Sequence, residues 1–156
     1  MPPREVNSKI RIDSSGEWFN NTQKIENQQI LLFFKQHLQY DHKGVFIENE
    51  FKEMTEKVYV QVEGPLVNVL HINRENFILE TGEKITTDSA FLTCDEQERI
   101  YLGLKRLKSW ARITRQAKMD LGEKLEKTDQ GYMWNEKLIK MVAKMTWHYD
   151  YNSMNT

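Results

Sequence analysis

The longest amphipathic pattern in the chain is RIYLGLKRLKSWARITRQAKMDLGEKLEK, residues 99–127. Residues 99–104 are typical of a strand, and apolar residues then recur at three- and four-residue steps. On a helical wheel one face collects Leu107, Trp110, Ala111, Thr114, Ala117, Leu121 and Leu125. The stretch therefore predicts a strand that leads into a long helix, and we expect this helix to cap the rest of the protein.

The opposite face of this predicted helix is cationic. It carries Lys105, Lys108, Arg112 and Arg115. Such a face would attract phosphates, lipid headgroups or an acidic protein surface, and arginine suits bidentate contacts with an anion. The commoner alternative is an ordinary solvated face, because surface helices carry Lys and Arg opposite their apolar stripe. Nucleic acid is a less favoured partner, since no aromatic residue within this face can stack on bases.

The composition is that of a folded globular protein with unevenly placed charge. The 156 residues are 39% hydrophobic and 29% charged, and the formal net charge is −1. This length suits one domain or two small lobes. Residues 99–118 hold seven Lys and Arg but no Asp or Glu, so the remainder of the chain is acidic. The composition excludes a disordered, fibrous or disulfide-rich protein.

The single cysteine, Cys94, excludes a disulfide within the chain and a zinc site built from several thiolates. We expect Cys94 to be a small buried hydrophobe in a reducing compartment. No apolar run approaches the length that spans a bilayer, and the N-terminal residues lack the apolar segment of a secretion signal. We therefore expect a cytoplasmic protein.

The N-terminal part of the chain predicts a hairpin followed by a helix. Alternation in residues 9–13, a Ser-Ser-Gly turn and a second extended run at residues 17–19 indicate a β-hairpin anchored by Trp18. Asn27 is placed to cap a helix over residues 28–39. Because apolar residues spread around much of its wheel, we expect this helix to be largely buried.

Residues 53–104 hold a series of short strand patterns joined by turn residues. The clearest pattern, residues 57–63, alternates valine with polar residues. The other strand patterns are residues 66–72, 77–79, 84–87, 90–93 and 99–104. Their close spacing predicts an antiparallel meander that delivers the chain into the long helix.

A last helix is predicted after the polar break at residues 128–131. Apolar residues recur at helical spacing beyond this break, namely Trp134, Leu138, Met141, Val142 and Met145. An apolar stripe of this kind covers another surface. The surface is either the body of the protein or the same stripe of a second copy, so a homo-oligomer through this helix is one of two expectations.

Sequence signals of catalysis are weak. The histidines His37, His42, His71 and His148 lack the spacing of metal ligands, and no phosphate-binding loop, dinucleotide fingerprint or nucleophile elbow occurs. We therefore expect no catalytic residue, no metal and no cofactor. The alternative is an enzyme in which His71 and scattered acidic residues converge in a cleft.

Several short motifs carry a family resemblance. They are Ile10-x-Ile12-Asp13 with Gly16-x-Trp18, Ile25 before Leu31–Leu38, Glu56-Lys57-Val58-x-Val60-x-Val62-Glu63-x-Pro65, and Tyr101 before Leu107–Leu125 with Arg115 inside it. With these motifs in this order, the chain resembles domain-of-unknown-function family 1285, an uncharacterised bacterial family. The resemblance covers residues 8–126. One departure is Leu66, where the family commonly has phenylalanine.

This resemblance implies a small N-terminal lobe joined to a larger lobe that is superficially similar to pleckstrin-homology-like barrels. It also implies repeated structural motifs and a ligand- or partner-binding role in signal transduction. A pocket is implied where the two lobes meet.

Together these observations predict an α+β protein. We expect a small hairpin-plus-helix lobe over residues 8–52, an antiparallel strand lobe capped by the long helix over residues 53–128, and a C-terminal helix over residues 129–149. We expect a non-catalytic binding protein that recognises a protein partner or a small anionic ligand. The expected site is the junction between the lobes or the cationic helix face, and weak nucleic-acid binding through that face is a further alternative.

Overall fold

In the computed structural model, which describes residues 2–148, fifteen β-strands form two mixed sheets and two helices accompany them. The strands are β1 (Arg4–Ile12), β2 (Trp18–Asn20), β3 (Gln23–Lys24), β4 (Leu38–Asp41), β5 (Gly44–Phe51), β6 (Met54–Val62), β7 (Val67–Ile72), β8 (Asn76–Leu79), β9 (Lys84–Thr86), β10 (Leu92–Asp95), β11 (Ile100–Leu104), β12 (Ser109–Ile113), β13 (Leu125–Thr128), β14 (Gly131–Trp134) and β15 (Lys137–Val142). The helices are α1 (Gln28–Gln36) and α2 (Arg115–Leu121), and α2 continues into a single 3₁₀ turn, Gly122–Lys124. The protein is therefore mostly β, and the predicted α+β class is wrong.

One supersecondary unit, a three-stranded antiparallel meander, repeats along the described chain. The meanders are β1–β3, β4–β6, β7–β9, β10–β12 and β13–β15. Neighbouring meanders join through parallel pairs, in which the first strand of one lies beside the last strand of the next: β1 with β6, β7 with β12, and β10 with β15. The repeat therefore lies in the strand pairing, although the sequence shows no internal repeat.

The two sheets contain different numbers of these meanders. The first sheet has two of them in the order β3-β2-β1-β6-β5-β4. The second has three, in the order β13-β14-β15-β10-β11-β12-β7-β8-β9. Because the second sheet includes two parallel pairs, it is not the purely antiparallel meander predicted from the sequence.

The predicted long helix after residue 104 is replaced by a hairpin and a short helix. Residues 105–108 turn the chain, with Lys108 in the left-handed region at φ 52°, and β12 then pairs with both β11 and β7. The consecutive residues Trp110 and Ala111 are both buried, because this inner strand is covered on both faces. Helix α2 begins only after Thr114, whose hydroxyl caps it.

The predicted C-terminal helix is also wrong over the residues that the structure describes. Asn135 and Glu136 have positive φ values of 50° and 61°, as a two-residue hairpin turn requires, and they join β14 to β15. Leu138 and Met141, assigned to a buried helical stripe, are exposed. Tyr149 lies outside the described residues. The predicted homo-oligomer depended on this helix, so the described residues give it no support.

The N-terminal predictions hold for the hairpin and for the helix cap. Strands β1 and β2 pair antiparallel, and Trp18 is buried beneath them. The Asn27 side chain accepts hydrogen bonds from the backbone of the first turn of α1. Burial of the helix was predicted wrongly: apolar side chains on α1 such as Ile30 and Phe33 are exposed, and its buried residue is Lys35.

The two sheets share a single hydrophobic core. One cluster of buried side chains reaches from Ile12 and Trp18 in the first sheet to Leu102 and Trp134 in the second. A smaller cluster consists of Tyr101, Trp110, Phe91, Met145 and Trp147. Along the described chain, neither helix is long and apolar enough to cross a bilayer.

The chain passes from the first sheet to the second through a tight contact at Gly64. A Cβ atom added to Gly64 would lie 1.8 Å from the backbone oxygen of Asp13. Two residues later, the Leu66 N–H donates to the Trp110 carbonyl at 2.9 Å. The close approach at Gly64 requires glycine, and it packs the end of β6 against the β1–β2 turn just before the chain enters the second sheet.

Candidate ligand-binding cleft

The junction between the two sheets is built from polar contacts of α1 and β4 with turns of the second sheet. Lys35 Nζ donates to Glu80 Oε1 at 2.9 Å, and Gln36 Nε2 donates to the Thr81 carbonyl at 3.3 Å. On the other side, Arg106 Nη1 donates to the Leu38 carbonyl at 2.7 Å. These contacts place α1 beside the β8–β9 turn and β4 beside the β11–β12 turn.

The Lys35–Glu80 pair is the most enclosed of these contacts. The side chains of Lys35 and Glu80 are 9% and 20% exposed. The second oxygen of Glu80 accepts a hydrogen bond from the Asn68 backbone N–H. A charge withdrawn from water to this extent needs a partner, so each member holds the other in place.

Two adjoining cavities open along this junction, and we call them together the junction cleft. The larger has a volume of about 420 Å³ and is lined by Lys35, Gln36, Gln39, Thr81, Glu83 and Arg106. The smaller has a volume of about 190 Å³ and is lined by Glu83, Ile85, Ser89 and residues 103–107. Glu83 and Arg106 belong to both linings, so the two cavities share a wall.

The lining of the junction cleft carries an excess of positive charge. Its cations are Lys35, which is paired with Glu80, together with Lys105 and Arg106, and Glu83 is the only carboxylate among its described lining residues. Arg106 Nη2 lies 3.7 Å from Glu83, and both side chains are nearly half exposed. An ion pair so exposed is worth about 0–1 kcal/mol, so Glu83 neutralises the guanidinium only weakly. The junction cleft is therefore suited to an anion.

The four cations predicted to share a helix face do not share one. Lys105 lines the junction cleft, Lys108 ends the same turn, Arg112 is exposed on β12, and Arg115 is the first residue of α2. The prediction of a cationic helix face is wrong because the residues lie in a turn, a strand and a helix. Of the four, only Lys105 lines a described cavity.

Sequence reasoning missed two of the three cations of the cleft, Lys35 and Arg106. Arg106 belongs to the same run of basic residues as Lys105, and this adjacency was the available signal. Lys35 had no comparable signal, since its burial depends on Glu80, which lies 45 residues away along the chain.

A larger cavity, of about 560 Å³, lies at the C-terminal end of α2, and we call it the polar cavity. Its lining includes Asp120, whose Oδ2 accepts the Ile72 N–H at 3.0 Å. His71 Nδ1 lies 3.6 Å from the same oxygen, but the His71 side chain is 62% exposed and does not line the cavity. The histidine expected to act in a cleft therefore stands outside it.

Two further buried titratable groups, Asp95 and Cys94, line neither cavity. Asp95 is buried, and its carboxylate accepts the backbone N–H groups of Gln97 and Arg99 together with the Arg99 Nε–H at 2.7 Å. Cys94 is buried in the core, which confirms the expected small buried hydrophobe, and this burial raises the pKa of its thiol. These groups organise a turn and fill the core.

Comparison with known proteins identifies the fold and leaves the activity open. Neither a protein-family model nor a curated protein matches the sequence. A DUF1285 family protein from Silicibacter pomeroyi is similar, with a TM-score of 0.60 and 14% identity over 99% of this chain and 87% of that chain. Another from Shewanella baltica has a TM-score of 0.50 and 20% identity over 69% and 85%. The resemblance to this family is confirmed at the level of the fold.

Proposed function

We propose that this chain is a non-catalytic binding protein that takes a small anionic ligand in the junction cleft. The observation that carries the proposal is that Lys105 and Arg106 line two cavities that share a wall, where Glu83 is the one carboxylate among the described lining residues. A concave site with a few placed polar groups is the usual form of a small-molecule site.

Three side chains around the cleft can each contribute to binding an anion. Arg106 Nη1 is engaged by the Leu38 carbonyl and by Gln39, whereas Nη2 has only the long contact with Glu83. The N–H groups of Nη2 are therefore available to a ligand oxygen, with Lys105 adding charge from the same turn. The side-chain amide of Gln36 adds a neutral donor in the lining.

A role in signal transduction belongs to the same proposal. A protein that binds a ligand without transforming it acts by changing its own contacts. This cleft lies between two sheets, and the contacts at their junction include Lys35–Glu80 and Arg106–Leu38. A cytoplasmic location is part of the proposal too, since the lone cysteine agrees with a reducing compartment.

The other functions considered have less support. Catalysis would rest on the His71–Asp120 pair, which is exposed and separate from the junction cleft. Binding of nucleic acid would rest on the four cations, which lie in a turn, a strand and a helix. A protein partner would bind at the junction or at these cations. These alternatives become outcomes of the following experiment.

The proposal is tested in two steps. First, protein purified from its native cells is examined by native mass spectrometry for a co-purifying small anion. Second, inorganic phosphate is titrated into wild type, Lys105→Gln and Arg112→Gln, at low and high ionic strength. Arg112 is the matched control, because it is an exposed cation on the same hairpin that does not line the cleft.

We expect salt-sensitive phosphate binding that Lys105→Gln weakens about tenfold, the effect of one charge-assisted contact, and that Arg112→Gln leaves unchanged. Equal binding by all three proteins, or an effect of Arg112→Gln alone, would contradict the proposal. Turnover of a co-purified compound would favour an enzyme instead.

A further inference from the structure

The polar cavity is assembled from four separate parts of the second sheet. They are the β7–β8 turn, the β9–β10 connection, the end of α2 and the β14–β15 turn. Its walls are fixed by hydrogen bonds that cross between these parts. Thr87 Oγ1 donates to the Arg74 carbonyl at 3.0 Å, and Lys137 Nζ donates to the Asp88 carbonyl at 3.1 Å. The cavity is therefore a built feature of the fold.

The floor of the polar cavity is apolar and rigid. Leu121 and Trp134 line it and are 2% and 5% exposed. The Trp134 ring packs edge-to-face on Phe77, at 5.5 Å between ring centroids. Such a floor accepts a hydrophobic group without rearranging.

The rim of the cavity carries charges of both signs. Within residues 2–148, the cations Arg74 and Lys124 form no ion pair, and the same holds for the carboxylate of Asp88. Asp120 is different, because its oxygens already accept the Ile72 N–H and the Gln116 amide. The donors to Asp120 are neutral, so the lining carries two positive and two negative groups, and Asp88 is the carboxylate whose oxygens accept no side-chain or backbone donor within residues 2–148.

We infer that the polar cavity binds a zwitterionic ligand, which carries an ammonium group, a carboxylate and an apolar side chain. The carboxylate pairs with Arg74 and Lys124, and the ammonium pairs with Asp88. The apolar side chain rests on Leu121 and Trp134. A simple anion satisfies the cations but leaves Asp88 facing a like charge, which disfavours it.

Two kinds of molecule carry these three groups: a free amino acid and a short peptide with free termini. The volume of about 560 Å³ lies within the range of roughly 300–1,000 Å³ found for small-molecule sites. This site is separate from the junction cleft, because the two share no lining residue. Its test is therefore independent of the proposed function.

The experiment is a calorimetric titration of the full chain with leucine, leucyl-leucine, leucinamide and 4-methylpentanoate. Leucinamide lacks the carboxylate and 4-methylpentanoate lacks the ammonium group. We expect leucine or leucyl-leucine to bind, and each singly charged analogue to bind about tenfold more weakly than the preferred zwitterion. Preference for leucine identifies a free amino acid, and preference for leucyl-leucine identifies a peptide.

Two variants locate the site and assign the charges. Asp88→Asn should weaken the zwitterion about tenfold and strengthen 4-methylpentanoate, because it removes the like charge, whereas Arg74→Gln should weaken both. Lys105→Gln in the junction cleft is the control and should change neither. Neither Asp88 nor Arg74 uses its side chain in a hydrogen bond within the described chain, so both variants should keep the wild-type melting temperature.

Two results would overturn the inference. One is the absence of saturable binding of both zwitterions at millimolar concentration by a protein with the wild-type melting temperature. The other is binding that Asp88→Asn and Arg74→Gln leave unchanged.

Discussion

The ammonium group of Lys35 lies 2.9 Å from the carboxylate of Glu80, and this pair joins α1 to the second sheet. Lys35 is the buried residue of a helix whose apolar side chains Ile30 and Phe33 are exposed. The helix is therefore held at the junction by a charge pair as well as by its apolar contacts. The same pair borders the junction cleft, so its integrity matters for both stability and binding.

We predict that Glu80→Gln destabilises the protein by about 2 kcal/mol. Breaking a buried ion pair costs about 3–5 kcal/mol, and the partial exposure of Glu80 reduces this cost. The free energy of unfolding from urea denaturation provides the measurement. The control is Glu17→Gln, since the Lys24–Glu17 pair is nearly half exposed on both sides and should change stability by less than about 1 kcal/mol. Equal effects of the two variants would contradict an enclosed pair.

Acid sensitivity should arise partly from Asp41. Burial by itself raises the pKa of Asp41, but hydrogen bonds from Tyr59, Lys57 and the Lys43 backbone outweigh it and lower the pKa from 3.8 to about 2. Because the folded state binds the proton more weakly than the unfolded state, the ionised carboxylate stabilises the fold above its ordinary pKa. This stabilisation is lost as the pH falls from about 4 to about 2.

The matching variant is Asp41→Asn, which removes this titration. We expect it to lower stability by about 1–2 kcal/mol at neutral pH, as for hydrogen bonds to a charged group, and to flatten the stability curve in the acid window. Urea denaturation at several pH values measures both effects. If the variant lost stability with falling pH as steeply as the wild type does, the acid sensitivity would belong to other carboxylates.

Trp110→Ala should cost about 3–5 kcal/mol of unfolding free energy, as for large-to-small changes in a core. Trp110 is 3% exposed on β12, packs edge-to-face on Phe91 and donates to the Thr146 carbonyl at 3.0 Å. The exposed neighbour Arg112 is the control, and Arg112→Ala should remain within about 0.5 kcal/mol. Chemical denaturation measures both, and a loss below about 1 kcal/mol for Trp110→Ala would contradict its place in the core.

Two consecutive residues of β15 distinguish the strand from the helix predicted there. Ile139 is 1% exposed and Leu138 is 42% exposed. Ile139→Ala should therefore cost about 2–5 kcal/mol, whereas Leu138→Ala should cost about 0.5 kcal/mol or less. Thermal or urea unfolding of the two variants is the measurement. The reverse order would restore the helical stripe that contains Leu138.

The local elements near the N-terminus could be predicted because their causes are neighbours in the sequence. Asn27 caps α1 through hydrogen bonds to residues two and three positions ahead. The Ser-Ser-Gly turn brings β1 and β2 together in the same way. Much of the candidate site had no such local cause, since Lys35 and Arg106 meet the cleft through contacts between distant segments.

By itself, the sequence determined that the chain folds around an apolar core and determined the turn of the N-terminal hairpin and the Asn27 helix cap, because composition, turn residues and caps act over a few residues. Only the tertiary structure decided between helix and strand for residues 109–113 and 137–142. The physical reason is that β12 lies inside the sheet and is covered on both faces, so its apolar residues do not alternate and fit a helical wheel equally well. The pairing of β12 with β7, some 45 residues earlier in the chain, then decides the matter.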